Sequence, residues 1–170
     1  MQKYHFVEKV DYEEACLIAK IQFKKNIINF KQEEFKKNFY RLFYEKKAAK
    51  LFLKKEKQII CGVLAEIYQN KLLIDIFFWN SIFQKHNIKT TKMFFKEFVK
   101  MHSSEDIKHL IIPLQKNRKK FNQFKKTNQK FFKFIEPLDE KDKNIKKWYS
   151  NHFLLKINCK LFCEEQISCK

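Results

Sequence analysis

Leu51-Phe52-Leu53, then Ile59-Ile60-Cys61-Gly62-Val63-Leu64-Ala65, then Leu72-Leu73-Ile74-Asp75-Ile76-Phe77-Phe78-Trp79: these three runs decide the fold. Each is short, apolar and rich in β-branched or aromatic residues, and the charged Lys54-Lys55-Glu56-Lys57-Gln58 and the polar Gln69-Asn70-Lys71 separate them. Such side chains suit the pleated surface of a sheet, and polar turns between short runs predict three antiparallel strands. The period then changes. Ile88, Thr91, Phe95, Phe98 and His102 recur at steps of three and four, which is one face of a helix. Between meander and helix lies a loop from Trp79 to Thr90. Because the first turn of a helix carries unpaired N–H donors, this junction is a candidate ligand-binding place.

Working outward, Tyr4 to Val10 alternates as a first strand. Asp11 stands three residues before Glu14, a capping-box spacing, and starts a helix through Ala15, Ile18, Ala19, Gln22 and Phe23. Asn29 and Gln32 repeat that spacing, with Phe35, Phe39, Leu42 and Phe43 as the apolar face of a second helix. Downstream, Ile107 to Leu114 reads as a fifth strand, Asn117 to Lys126 as a fourth helix and Phe131 to Ile135 as another strand. Pro137 and Asp139 to Lys143 read as a loop, and His152 to Cys159 as the last strand. The expectation is one α/β (α+β) domain over 1–160, with 161–170 as a frayed, disordered tail. Its mixed, mostly antiparallel sheet is flanked by helices, in the order β-α-α-β-β-β-α-β-α-β-β.

At 170 residues the chain can bury a sizeable core. No apolar run reaches the roughly 18 residues of a membrane span, and Met1-Gln2-Lys3-Tyr4-His5 leads into no signal-peptide core, so a soluble, cytoplasmic protein is expected. Five cysteines without a disulfide-framework spacing fit a reducing compartment. Cys159, Cys163 and Cys169 lack zinc spacing, so no metal is assigned. A net charge of +18 suits a polyanion, since lysines neutralise phosphates and release counterions. An AT-rich coding bias accounts for the same charge: arginine occurs only at Arg41 and Arg118, and Gly62 is the sole glycine. Scarce arginine argues against base readout, which leaves weak, non-specific nucleic-acid binding as the expectation. In the basic block Lys116 to Lys133, Phe121, Phe124, Phe131 and Phe132 serve either base stacking or core packing.

The order of elements, with Ile59-Ile60-Cys61-Gly62-Val63 on the third strand, resembles the GNAT N-acyltransferase superfamily. Trp79-Asn80-Ser81-Ile82-Phe83-Gln84-Lys85-His86-Asn87-Ile88-Lys89-Thr90 resembles its acyl-CoA motif in spacing, with Phe83 as the aromatic and Gln84 leading the loop. Asn117 follows the fifth strand as in that family, and Phe124 stands where a Tyr is usual. The resemblance implies acetyl-CoA, or another acyl-CoA, as co-substrate for transfer to an amine-bearing acceptor. It implies contacts from Phe77, Phe78, Trp79, Gln84, Lys85, His86, Asn87, Ile88, Lys89, Thr90, Asn117 and Phe124. It also implies a slot between splayed fourth and fifth strands, with a backbone amide near Phe77 or Phe78 polarising the thioester. The loop departs from the motif in lacking glycine. Asn87 is expected to supply a left-handed conformation, and Lys89 either obstructs the phosphates or pairs with them. Phe124 supplies no hydroxyl to the departing thiolate.

Amide formation further needs a base, and Glu66 and Asp75 are the acids on the central strands. The bland alternative places both on a solvated face or against lysines. His109 on the fifth strand reads as structural, and His86 reads as a surface residue of the loop. Two other functions stay open: a GNAT-shaped domain that binds RNA or a ribonucleoprotein without catalysis, and a toxin-activating lysine acyltransferase served by acyl-carrier protein.

Overall fold

The computed structural model describes residues 3–27, 29–104, 106–115, 122–123, 126 and 134–164. Asn117, Phe124 and most of the basic block therefore lie outside the described residues. The chain runs β1 (Tyr4–Val7), α1 (Tyr12–Asn26), α2 (Gln32–Tyr44), β2 (Ala49–Lys55), β3 (Gln58–Tyr68), β4 (Lys71–Trp79) and α3 (Ile88–His102). It continues through β5 (His109–Gln115), β6 (Ile135–Glu136), a 3-10 turn (Glu140–Asp142), α4 (Lys143–Trp148), β7 (His152–Asn158) and α5 (Cys159–Glu164). Seven strands join in the order β1-β2-β3-β4-β5-β7-β6. The β1–β2, β2–β3, β5–β7 and β6–β7 pairs are antiparallel, while β4 pairs β5 in parallel from Lys71↔His109 to Leu73↔Ile111. The expected mixed, mostly antiparallel sheet with flanking helices is what forms.

These residues gather into two compact units, one holding the chain up to Ile67 with Ile74–Phe98, the other Tyr68–Leu73 with the chain from Val99 onward. In the first unit Asp11 caps α1, its Oδ1 accepting from the Glu14 N–H at 2.8 Å. The predicted repeat of that cap at Asn29 does not occur. Asn29 takes a left-handed conformation (φ 60°) and α2 begins after Lys31, which offers no side-chain cap. Phe30 packs against Phe35 across that corner, at 5.4 Å between ring centroids. The apolar stripes of α1 and α2 close over the sheet, where Ala15, Ala19, Phe39 and Leu42 meet Phe52, Leu64, Ile76 and Phe78. Phe77, one residue out of phase with Phe78, instead meets Phe94 and Phe95 of α3. Helices thus cover both faces of β4, as strand alternation requires of a run that is apolar on each side.

Gly62 occupies β3 without a positive φ, so backbone freedom is not its reason. Space is: a Cβ there would lie 2.6 Å from Phe52 Cδ1 and 2.6 Å from two ring carbons of Phe78. The turns flanking β3 do need left-handed residues, and Glu56, Gln69 and Asn70 supply them at φ 56°, 42° and 64°. Asn tolerates that region better than most residues, which explains the predicted Gln69-Asn70 corner.

In the second unit Leu73, Ile111 and Ile145 form the core with Tyr68, Leu138, Tyr149 and Leu154 around it. The predicted loop Asp139 to Lys143 is instead helical. Asp139 and Asp142 make a reciprocal capping box: the Lys141 N–H donates to Asp139 Oδ1 at 2.8 Å, and the Asp139 N–H donates to Asp142 Oδ2 at 2.9 Å. Asp142 is fully buried beside Lys156, which donates to it at 3.1 Å, and Lys71, whose ammonium is 3.3 Å from Oδ1. The chain after Lys160, which shows little sequence pattern, stays helical to Glu164 with Phe162 buried against Phe134.

Candidate functional site

The end of β4 and the loop after it are built almost entirely from the first unit. Asn80 closes the strand: its backbone N–H donates to Ile60 O at 2.7 Å and its side-chain amide to Ile59 O at 2.9 Å. Its own carbonyl then accepts from the Phe83 and Gln84 N–H groups at 3.2 and 3.0 Å, which folds Asn80 to Gln84 into a tight turn. Trp79 is buried and its indole N–H donates to Gln84 O at 2.8 Å. The Gln84 side chain exchanges hydrogen bonds with the Tyr4 hydroxyl at 3.1–3.2 Å. Gln84 therefore holds the loop to β1. A buried indole and a buried Asn carboxamide are stable there because every polar atom named has a partner.

At the far end Asn87 is the N-cap of α3. Its Oδ1 accepts from the Lys89 N–H at 2.8 Å and the Thr90 N–H at 3.2 Å, and its carbonyl accepts from the Thr91 N–H at 3.0 Å. The expected left-handed conformation is not adopted, since Asn87 is absent from the positive-φ residues. Capping is the physical reason: a side-chain oxygen that satisfies two first-turn donors needs an extended, negative-φ backbone. Lys85 and Lys89 are exposed on either side of the cap, as is Ile88, while Thr90 is buried. His86 packs edge-on against Trp79 at 4.9 Å and its Nε2 lies 3.0 Å from the Thr91 hydroxyl. Although the residue is exposed overall, desolvation of the ring lowers its pKa below the ordinary histidine value and so disfavours a positive charge there.

The strand edge carries a contact that the sequence does not announce. From α1, the Gln22 carboxamide accepts from the Trp79 N–H at 2.5 Å through Oε1 and donates to Phe77 O at 3.4 Å through Nε2. The Asn80 N–H faces β3, so by alternation the Phe77 and Trp79 polar groups face the opposite edge and Phe78 faces β3. Of the two amides expected to polarise a carbonyl, Phe77 is thus on the outer edge and Phe78 is not. The Phe78 ring is fully buried among Phe39 and Phe52.

Glu66 and Asp75 come together at an arginine. Arg41 of α2 contacts Glu66 closely and lies 4.0 Å from Asp75, with a further bond to Glu45 at 3.2 Å. Burial disfavours the charged guanidinium, but the hydrogen bond and charge of Glu66 outweigh it and hold Arg41 protonated. His109, in the second unit, is paired with Glu136 at 2.8 Å, and Asn158 donates to the other Glu136 oxygen at 2.7 Å. No group of three or more His, Cys, Asp or Glu among the described residues could hold a metal. No described helix is long and apolar enough to cross a membrane. Cys16, Cys61, Cys159 and Cys163 are not joined in disulfides among the described residues.

Gln22, Arg41, Asn80 and Tyr4 are the residues that sequence reasoning passed over. Two left a trace: Gln22 is the polar member of the stripe Ala15-Ile18-Ala19-Gln22, and Arg41 is one of two arginines.

No family model matches the sequence, and no curated protein matches it. Solved structures do resemble the fold. A GNAT-family acetyltransferase of Staphylococcus aureus superposes with a TM-score of 0.63 at 11% identity, over 92% of this chain and 99% of that one. The PaiA N-acetyltransferase of Thermoplasma acidophilum, solved with coenzyme A, gives 0.58 at 13% identity over 92% and 99%. An acetyltransferase of Streptococcus agalactiae gives 0.58 at 13% identity over 84% and 88%. With the meander, the Gly62 strand and the capped helix after β4, the chain has the fold of the GNAT N-acetyltransferases.

Proposed function

We propose that this protein is an N-acyltransferase that moves an acyl group, in the simplest case acetyl, from coenzyme A to an amine. One observation carries the reading: within a GNAT fold, β4 turns at Asn80 onto a fifteen-residue helix whose N-cap, Asn87, has an exposed lysine two residues before it and another two residues after it, Lys85 and Lys89. A pyrophosphate there meets the positive end of a helix dipole, worth about 0.3–1 kcal/mol per charge at an exposed site, and two cations besides. Asn87 already satisfies the Lys89 and Thr90 amides, so the phosphate oxygens turn to the lysine side chains rather than to the backbone. Lys89 is in this reading a ligand that stands in for the glycines of the family loop.

Once deprotonated, the amine nitrogen attacks the thioester carbon, the C–N bond forms, the C–S bond breaks, and the second proton that the nitrogen loses passes through solvent to the departing thiolate. Asp75 takes the proton that the ammonium must lose, and Glu66 anchors Arg41 beside it; Asp75 is the carboxylate at the longer distance from the guanidinium. The acceptor is an amine in an otherwise unspecified molecule.

The test is acetyl-CoA binding by calorimetry, followed by thiol release with a panel of amines. Saturating acetyl-CoA should raise the melting temperature by several degrees, since ligand bound only to the native state stabilises it. Asp75→Asn should keep that shift and lose thiol release. Absence of both heat and shift at millimolar acetyl-CoA would end this reading.

A further inference from the structure

We infer that Gln22 is a built-in substitute for the acyl donor: its carboxamide occupies the amide-binding notch on the β4 edge, and the donor's arm binds by displacing it. The inference rests on the acyltransferase reading and adds to it a residue that sets donor affinity.

In a parallel β-bridge, one residue of the neighbouring strand donates its N–H to a carbonyl and accepts from the N–H two residues further along. Phe77 O and Trp79 N–H are such a pair, and Gln22 meets both, donating to the first and accepting from the second. The two backbone groups also settle which way the carboxamide faces, because a carbonyl can only accept and an N–H can only donate. One planar amide is therefore doing what a strand would do. The β4–β5 register ends at Leu73↔Ile111, so Phe77 to Trp79 have no strand partner on this edge among the described residues. Such an edge recognises extended chains through their amides, and the arm of coenzyme A is an extended chain with two secondary amides.

Two features mark Gln22 as replaceable. It is a half-buried polar residue in a stripe whose neighbours Ala15 and Ala19 are fully buried, so it stays there through those two bonds and not through packing. In addition, the cavity it borders with Trp79, Asn80 and Ile82 is about 10 Å³, roughly the space of one water. A thioester head has no room there while Gln22 is in place. Rotation of its side chain toward solvent frees both backbone groups and the space it fills, with no change in the helix. The incoming amide remakes the same bonds, so displacement costs mainly the contacts that Gln22 had.

Calorimetry with acetyl-CoA on the wild type, Gln22→Met and Gln22→Ala tests this. Met keeps the length of the side chain and removes its amide. Both variants should bind about tenfold tighter, equivalent to 1.4 kcal/mol, and in their ligand-free forms the Trp79 amide should exchange with solvent faster than in the wild type. In the wild type, acetyl-CoA should move the Gln22 side-chain NH₂ resonances to solvent-exposed positions. Binding by all three proteins with the variants no tighter, or a wild-type complex in which those resonances stay put, overturns the inference and leaves the acyltransferase reading standing. No binding by any of the three overturns that reading, and this inference falls with it.

Discussion

Replacing the only glycine probes the packing around β3. Gly62→Ala places a methyl group 2.6 Å from Phe52 Cδ1 and from Phe78 Cε1 and Cζ, whereas ordinary contact begins at 3.4 Å, so the rings must retreat by about 0.8 Å. Neither has anywhere to go. Both are fully buried, and Phe43 and Phe39 stand behind them at centroid distances of 5.9 and 6.4 Å. Overpacking of a dense core costs about 1–3 kcal/mol. Opposing it, loss of glycine's freedom in the unfolded chain favours Ala by about 0.4–1 kcal/mol. The steric effect wins, and Gly62→Ala should be destabilised by about 1–2 kcal/mol, or roughly 2–8 °C in melting temperature for a chain of this size. Urea unfolding of Gly62→Ala, Phe78→Leu and the double variant measures it, and the pair should couple by at least about 0.5 kcal/mol because the smaller side chain makes room. A Gly62→Ala protein as stable as the wild type, with additive effects in the cycle, would refute the steric account.

Asp142→Asn removes the carboxylate shared by two buried lysines, Lys71 and Lys156, while Lys156 keeps Asp139 at 3.1 Å, and should cost about 3–5 kcal/mol in chemical unfolding; a loss under about 1 kcal/mol would mean that the Lys71 ammonium reaches water or that Asp139 suffices for Lys156. Burial lowers the His86 pKa, so its neutral form is favoured on folding; the stability tied to it is present above pH 6.5 and is lost as pH falls through the lower folded value. His86→Gln should therefore flatten the fall in melting temperature on acidification below pH 6.5, and an unchanged profile would contradict the packing against Trp79. Lys89→Glu should abolish acetyl-CoA binding and Lys89→Gly should weaken it more than tenfold, about 1.4 kcal/mol. Tighter binding by Lys89→Gly would show the lysine to be an obstruction.

The meander, the Asp11 cap and the place of Gly62 were legible in the order of residues alone, because each is a local matter; α3 was legible as a helix, but it buries Thr90, Phe94, Phe98 and Val99, and of the expected face Ile88, Thr91, Phe95, Phe98 and His102 only Phe98 is fully buried while Ile88 is exposed. A strand or helix shows its buried side as a period of two or near 3.6, and a cap is settled within three residues. The Asn80 turn and the Asn87 cap were half legible: the spacing marked the loop, but Asn87 could be assigned to capping rather than to a left-handed turn only once the Lys89 and Thr90 amides were seen to point at it. Likewise Asp139 to Lys143 has the composition of a loop, and becomes helical because Asp142 caps it while pairing with Lys156 and Lys71, fourteen and seventy-one residues away in the chain. Gln22 on the β4 edge and Arg41 between Glu66 and Asp75 were settled only by tertiary structure. A polar group that finds its partner 25 or more residues away leaves no period behind it, since the free energy of that pairing depends on where the packed helices and strands bring the two groups and not on what surrounds either one in the chain.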